Sequence, residues 1–505
     1  MRKENSIKNF ITSAAPFVIL VFLGFWKVNV WQKTFSEDVY ALNQLFFQIF
    51  AYLSLAEAGI GAIVQKEYYK LFIDNDKDTI RIFYTLSKKM LRNVCYIIAI
   101  ASFAVSFFLP HLAKNNLLSA SYMQNVFLLF VFKSLVEYML FSPRFVIQAD
   151  QKLYKINIQM NIYKILEAVL EVALVMYGVS YEAVLFITLI VRVIMNLRVN
   201  KIVFKEYPWL KTVGNTGDFK IQGMSHILIY KLVSVVYENV DVLLISTFVN
   251  PMSVIIYSNY KYITKYISDM MYMVGNAIIS SLGNLLYSKE DAEQVYYKYE
   301  MINTLFYFLA CVLTIALGYC INSFVVIWVG PKKVFDYTSF ACVLFLLFHT
   351  IVRRPQYILK DIFVLYKDLQ LVSIVEAALN IILSLMLVKR WGIKGVLIAT
   401  VMATTLTNLW YFPVYLYKKV FEKKPWHDML KYGACGLLVV VVLGFSFWKL
   451  PRIPSQSYIT WFFGSCIYSL LVFIVVAGVF WFSFKSFRKL CKELKAMLLR
   501  GWVNR

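Results

Sequence analysis

Charge is scarce in this chain: Asp, Glu, Lys and Arg make up only 16% of its 505 residues. One hydrophobic core stops growing well below that size, so a soluble domain could not hide so much apolar surface. Histidine is rarer still. His111, His226, His349 and His427 lie far apart and form no HExxH, which excludes that zinc-protease chemistry. The seven cysteines are odd in number and form no CxxC pair, so neither a disulfide framework nor a cysteine metal site is expected. Most of them lie in or beside apolar stretches, where a free thiol packs as a small hydrophobe. No G-x-x-x-x-G-K-[ST] occurs, which excludes ATP binding by a P-loop, and no cofactor is implied. Asp74-Asn75-Asp76 has the D-x-D form that holds a metal and a sugar nucleotide in glycosyltransferases. Its setting, D-N-D-K-D before a helix, is also where acids favour a helix N-terminus. No basic domain stands apart from the apolar stretches, so the net charge of +23 does not point to nucleic acid.

What the chain has is hydrophobic length. It is 60% hydrophobic with a mean hydropathy of +0.63, and stretches long enough to cross a bilayer recur throughout. The segments are 8–30, 38–65, 90–110, 121–147, 157–178, 181–200, 222–249, 252–286, 300–321, 337–359, 369–388, 394–417, 430–449 and 457–483. The expectation is an all-α polytopic integral membrane protein of about fourteen transmembrane helices. Lys and Arg concentrate at 66–92, 192–220, 418–431 and 485–505, while 177–181 and 249–252 have none. That bias places both termini in the cytoplasm. The 35 Tyr and 11 Trp partly supply interfacial belts.

The chain also matches itself. Pro143-Arg-Phe-Val-Ile through Leu153-Tyr-Lys155 returns as Pro355-Gln-Tyr-Ile-Leu through Leu365-Tyr-Lys367, a shift of 212 residues at both ends. Glu167-Ala-Val-Leu reappears as Glu376-Ala-Ala-Leu after a three-residue deletion, and Asn196-Leu197 as Asn408-Leu409. So long a period marks two related halves rather than a solenoid. In a membrane protein such halves point to a transporter with its path between them. The expected division is a six-helix bundle over 1–200, a cytoplasmic linker over 201–220, and a second six-helix bundle over 221–420. Two additional helices over 421–484 and a basic cytoplasmic tail over 485–505 complete it.

Charges inside apolar segments are expensive and usually face a partner or a cavity. Candidate cations for holding an anionic substrate are Arg144, Arg192, Lys231, Lys261 and Lys265, with Arg suited to bidentate contact with phosphate. Arg353 and Arg354, near a membrane face, read equally as ligands or as snorkelling anchors. The competing reading is local ion pairing, Lys133 with Glu137 or Lys265 with Asp269, each one helical turn apart. Glu57, Asp241 and Glu238 are candidates for ion coupling.

Several stretches resemble bacterial polysaccharide (O-antigen) repeat-unit flippases of the Wzx type. These are Leu53-Ser-Leu-Ala-Glu-Ala-Gly-Ile-Gly61, the run Arg144 to Tyr154 with its A-D-Q-K-x-Y, Lys231 through Ser246, and Tyr257-Ser-Asn-Tyr260. The resemblance covers the first twelve segments loosely. It implies the multidrug/oligosaccharidyl-lipid/polysaccharide (MOP) superfamily, with two pseudo-symmetric six-helix bundles plus two C-terminal helices, a MATE-like architecture. It also implies transfer of an undecaprenyl-pyrophosphate-linked oligosaccharide across the bacterial cytoplasmic membrane. Such transfer proceeds by alternating access coupled to a proton or sodium gradient, with membrane lipid and a polysaccharide polymerase as partners. Glu57, Arg144, Lys231 and Asp241 sit in the matching segments. Alternatives are a cation-coupled multidrug exporter of the same superfamily, which would favour acids in its cavity, and a membrane-embedded polymerase or glycosyltransferase. The latter would be expected to carry a long external loop, and no connection here is long enough.

Overall fold

The computed structural model describes residues 2–57, 64, 67, 68, 71, 72, 76–114, 116–211, 225–286, 292–363 and 365–493. For 2–11, 13–15, 56, 57, 225–231, 276–286 and 292 it describes the backbone alone. Among the described residues the chain is helix joined by turns, without a strand. The first half supplies α1 (Arg2–Thr34), α2 (Glu37–Leu53), α3 (Lys77–Ser106), α4 (Ala120–Leu140), α5 (Ser142–Ala149), α6 (Tyr154–Met176) and α7 (Tyr181–Glu206). Then come α8 (Ser225–Phe248), α9 (Pro251–Leu286), α10 (Ala292–Val329), α11 (Tyr337–Val352) and α12 (Arg354–Ile362). The last are α13 (Tyr366–Trp391), α14 (Ile393–Leu406), α15 (Asn408–Phe421), α16 (Trp426–Lys449) and α17 (Tyr458–Ser483).

Each apolar segment read from the sequence falls on helix where it is described. Among the described residues seven spans, α3, α4, most of α10, α13, α14 with α15, α16 and α17, are long and apolar enough to cross a membrane. The protein is therefore an all-α, multi-pass membrane protein. Side-chain caps start several helices. Ser36, Ser119, Ser180 and Ser457 accept from backbone amides of α2, α4, α7 and α17, satisfying donors that the helix itself leaves open.

Besides 38–65 and 90–110, in which α2 ends at Leu53 and α3 at Ser106, three segments that read as continuous are broken. Segment 121–147 divides after Leu140 into α4 and α5, and 337–359 divides at Arg353 into α11 and α12. Pro143 and Pro355 sit in the first turn of the new helix. There a missing N–H costs nothing, whereas mid-helix it would remove a hydrogen bond. Segment 394–417 divides at Thr407 (φ −123°, ψ −82°), whose hydroxyl bonds back to the Ala403 carbonyl, a contact that bends helices.

These breaks recur with the sequence repeat. Helices α5 and α12, α6 and α13, and α7 and α14 each begin 212 residues apart. Val146 and Ile147 lie in an apolar cluster with Tyr68, Phe83 and Val203. Their repeat equivalents Ile358 and Leu359 lie in another, with Tyr299, Phe412 and Leu416.

By contact density the chain forms two compact units, Met1–Ile255 and Ile256–Arg505. Helix α8 belongs to the first and packs on α2. There the Tyr52 hydroxyl donates to the Val236 carbonyl at 3.3 Å, and Lys114 N donates to the Ser246 carbonyl at 3.1 Å. In the second unit α16 and α17 pack on α10.

Candidate functional site

In the first unit three helices contribute charged and polar residues spaced by one turn, so that each set shares a helix face, and two more helices add a single cation each. Helix α4 carries Lys133 and Glu137, α6 carries Glu167 and Glu171, and α7 carries Thr188, Arg192 and Asn196; Lys27 comes from α1 and Arg144 from α5. All but Lys27 and Glu171, which pair beside it, join in one network. Lys133 Nζ lies 2.8 Å from Glu167 Oε1 and donates to Thr188 Oγ1 at 2.7 Å. Arg192 Nη2 donates to the same Glu167 oxygen at 2.9 Å, and its Nη1 stands 3.8 Å from Glu137 Oε2. Arg144 donates to Glu137 Oε1 at 3.2 Å and to Asn196 Oδ1. Lys27 Nζ pairs with Glu171 Oε1 at 2.8 Å. Four cations thus face three carboxylates, one positive charge in excess. Burying charge is costly unless it is paired and hydrogen-bonded; each charge here has an ionic partner, but Arg144 Nε is buried without an acceptor.

Lys133 does not follow the one-turn rule. Its carboxylate is Glu167 on α6, not Glu137 on its own helix, because neighbouring helices bring a better-aligned acid than the helix surface does.

The second unit carries the same scaffold with most of the charge removed. Glu376, the counterpart of Glu167, accepts from Thr404 Oγ1 at 3.0 Å and from Asn408 Nδ2. Thr404 stands where Arg192 stands in the first copy. Asn380, equivalent to Glu171, donates to Thr400 Oγ1 at 2.8 Å, and Thr400 is the counterpart of Thr188. Lys133, Glu137 and Arg144 correspond to Phe345, His349 and Gln356.

The second unit's own buried charges tie helices together. Asp428, at the start of α16, accepts from Arg353 Nη1 (2.8 Å), Gln356 Nε2 (3.0 Å), Asn303 Nδ2 (2.9 Å) and the Tyr307 hydroxyl (3.0 Å). Lys431, one turn on, pairs with Glu300 of α10 and bonds Thr304 Oγ1 at 3.0 Å. Arg353 is therefore a structural anchor. Arg354 lies over the Tyr272 ring, 3.8 Å from its centroid.

The remaining predicted residues are dispersed. Lys261 lies 5.6 Å from the Tyr257 ring centroid. It lines a cleft of about 120 Å³ with Tyr257, Thr264, Ser268 and, opposite, Val343 and Leu347. Lys265 is exposed, and no ion pair joins it to Asp269 among the described residues. Asp241 is buried on α8, whereas Glu238 is exposed and accepts from Ser234 Oγ at 3.3 Å. The side chains of Glu57 and Lys231, like Asp74 and Asn75, lie outside the described residues.

Sequence reasoning missed Lys27, a lone cation in the first apolar segment, and Asp428, which flanks its segment and reads as a polar cap. A further ionic cluster lies beyond the 181–200 segment. Glu206 pairs with Lys155 (2.6 Å) and Lys152 (3.1 Å), and the Lys155 hydrogen bond holds its carboxyl below the usual carboxylate range. Among the described residues no group of His, Cys, Asp or Glu is placed to hold a metal ion.

No family model matches the sequence, and no curated protein matches it. Solved structures do match in fold. The lipid II flippase MurJ, in an inward closed conformation, superposes with a TM-score of 0.66 over 94% of this chain and 98% of its own, at 13% identity. A multidrug-resistance MATE transporter of the MOP superfamily, inward-facing, gives 0.54 over 85% and 96%, at 14% identity. A MOP-superfamily transporter from Pyrococcus furiosus, described as having a binding pocket of reverse polarity, gives 0.52 over 89% and 97%, at 12% identity. The chain thus has the fold shared by MOP-superfamily transporters.

Proposed function

We propose that the chain is a flippase. It moves an undecaprenyl-pyrophosphate-linked oligosaccharide repeat unit across the bacterial cytoplasmic membrane for surface polysaccharide synthesis. The observation that carries this reading is the cation-rich network of the first unit. A pyrophosphate and its sugars cannot enter hydrocarbon unaided, and guanidinium groups can replace lost hydration with charge-assisted hydrogen bonds. The polyprenyl tail needs no such help and stays in lipid. In this reading Arg144 and Arg192 of the first unit hold the headgroup, and Lys261, in the cleft of the second unit, is a separate candidate cation for an anionic group. Asp241 and Glu57 remain coupling candidates for a proton or sodium ion. Both termini face the cytoplasm, and a polysaccharide polymerase receives the product.

Fold likeness to a lipid II flippase over nearly the whole chain supports the same reading. Likeness to a multidrug transporter favours a second one, a cation-coupled drug exporter. The positive excess in the first unit speaks against it, because a cationic substrate would meet repulsion there.

The test is complementation of a strain that lacks its own repeat-unit flippase and makes the cognate repeat unit. Restored surface polymer, with the lipid-linked intermediate reaching the outer leaflet, is the expected result. Arg192→Ala should abolish it at unchanged protein level. Protein in the membrane without rescue would shift the assignment to the exporter reading.

A further inference from the structure

We infer that Glu137 is a resident counter-ion, occupying the two arginines until an anionic headgroup displaces it, and so sets the site's selectivity for charged cargo. This rests on the reading of Arg144 and Arg192 as headgroup ligands. The second unit acts as an internal control. It builds the same helix junction with Glu376, Thr404 and Asn408, and with His349, Gln356 and Thr404 at the places of Glu137, Arg144 and Arg192. The scaffold therefore does not require the triad Glu137, Arg144 and Arg192. Something other than folding holds it in the first unit.

Geometry separates Glu137 from the other acids. Glu167 is buried and bonded to both Lys133 and Arg192, and Glu171 is buried against Lys27. The side chain of Glu137 is 35% exposed, and that of its neighbour Arg192 is 27% exposed. Its hold on the arginines is loose: 3.2 Å to Arg144 but 3.8 Å to Arg192, beyond hydrogen-bond reach. Arg144 Nε is buried with no hydrogen-bond acceptor, a donor left over for an incoming oxygen.

Access comes from the side of α4 and α7 away from their exposed apolar stripes, where both side chains are part exposed. The exposed apolar stripe of α7 runs through Phe186, Ile190, Ile194 and Leu197, and that of α4 through Phe132 and Met139. At 3.6 residues per turn, Arg192 and Glu137 point roughly opposite those stripes. Phosphate oxygens arriving there replace one carboxylate on two guanidiniums and gain the spare donor. A neutral ligand cannot compensate the arginines for the carboxylate it would displace, so it is refused.

The experiment uses the purified full-length protein in nanodiscs with geranylgeranyl pyrophosphate, inorganic pyrophosphate and the neutral alcohol geranylgeraniol as probes. Glu137→Gln and Glu137→Ala should each bind both pyrophosphates about ten-fold more tightly, or more, with the alcohol unchanged. Arg144→Gln and Arg192→Gln should weaken both. Melting curves identify any variant that fails to fold, and the second Glu137 variant then decides. If the arginine variants weaken binding while neither Glu137 variant tightens it, the resident counter-ion is wrong and the headgroup site stands. A matching gain for geranylgeraniol would also overturn the proposal, since charge would not be what Glu137 screens. If all four variants bind as the wild type does, the headgroup site itself fails.

Discussion

Asp428 and Glu137 show how differently two carboxylates in apolar surroundings can be used. Asp428 is almost wholly buried and accepts four hydrogen bonds, one from Arg353. Asp428→Ala leaves that guanidinium buried and uncompensated, which costs about 3–5 kcal/mol. A clear drop in melting temperature of the detergent-solubilised protein is expected, and an unchanged melt would refute the anchoring role. Glu137, part exposed and loosely held, should tolerate Gln with little change in melting. Sequence spacing did not distinguish the two. Arg144 and Arg192 stood out because arginine is rare in apolar segments. Which acid each would meet depended on helix packing that one-turn spacing does not encode, as the partnership of Lys133 with Glu167 shows.

Most helices were legible as elements, because apolar length and polar punctuation dictate them. The breaks at Phe141 and Arg353 had a visible signal in Pro143 and Pro355, but the apolar run across each hid it. The bend at Thr407 had none, since Thr400 and Thr405 bond back along the same helix in the same way without breaking it. Helix pairing shows an equally sharp constraint at Gly395. A Cβ there would run into the backbone carbonyl of Leu387, so α13 and α14 approach closely only because no side chain intervenes. Gly395→Ala should push these helices apart and lower the yield of folded protein in size-exclusion chromatography. An unaltered elution profile and melt would show that the contact can relax.

For the molecule as a whole, the fold class followed from scarce charge and repeated apolar length, and the repeat reappears as helices that restart 212 residues apart. Lys and Arg bias predicts a cytoplasmic C-terminus. A green fluorescent protein fused after Arg505 should fluoresce, and alkaline phosphatase fused there should be inactive; the reverse pattern would invert the topology. The paired copies have a consequence for how cargo specificity can vary. Glu137 with His349, Arg144 with Gln356, and Arg192 with Thr404 stand at equivalent places of the repeat, a charged set in one copy and a mostly uncharged one in the other. With two copies of the scaffold, one can carry buried charge while the other anchors the first of the two C-terminal helices through Asp428 and Lys431. A lineage could therefore change the charge of its cargo through a few substitutions in one copy, because duplication uncouples what the protein carries from what keeps it folded.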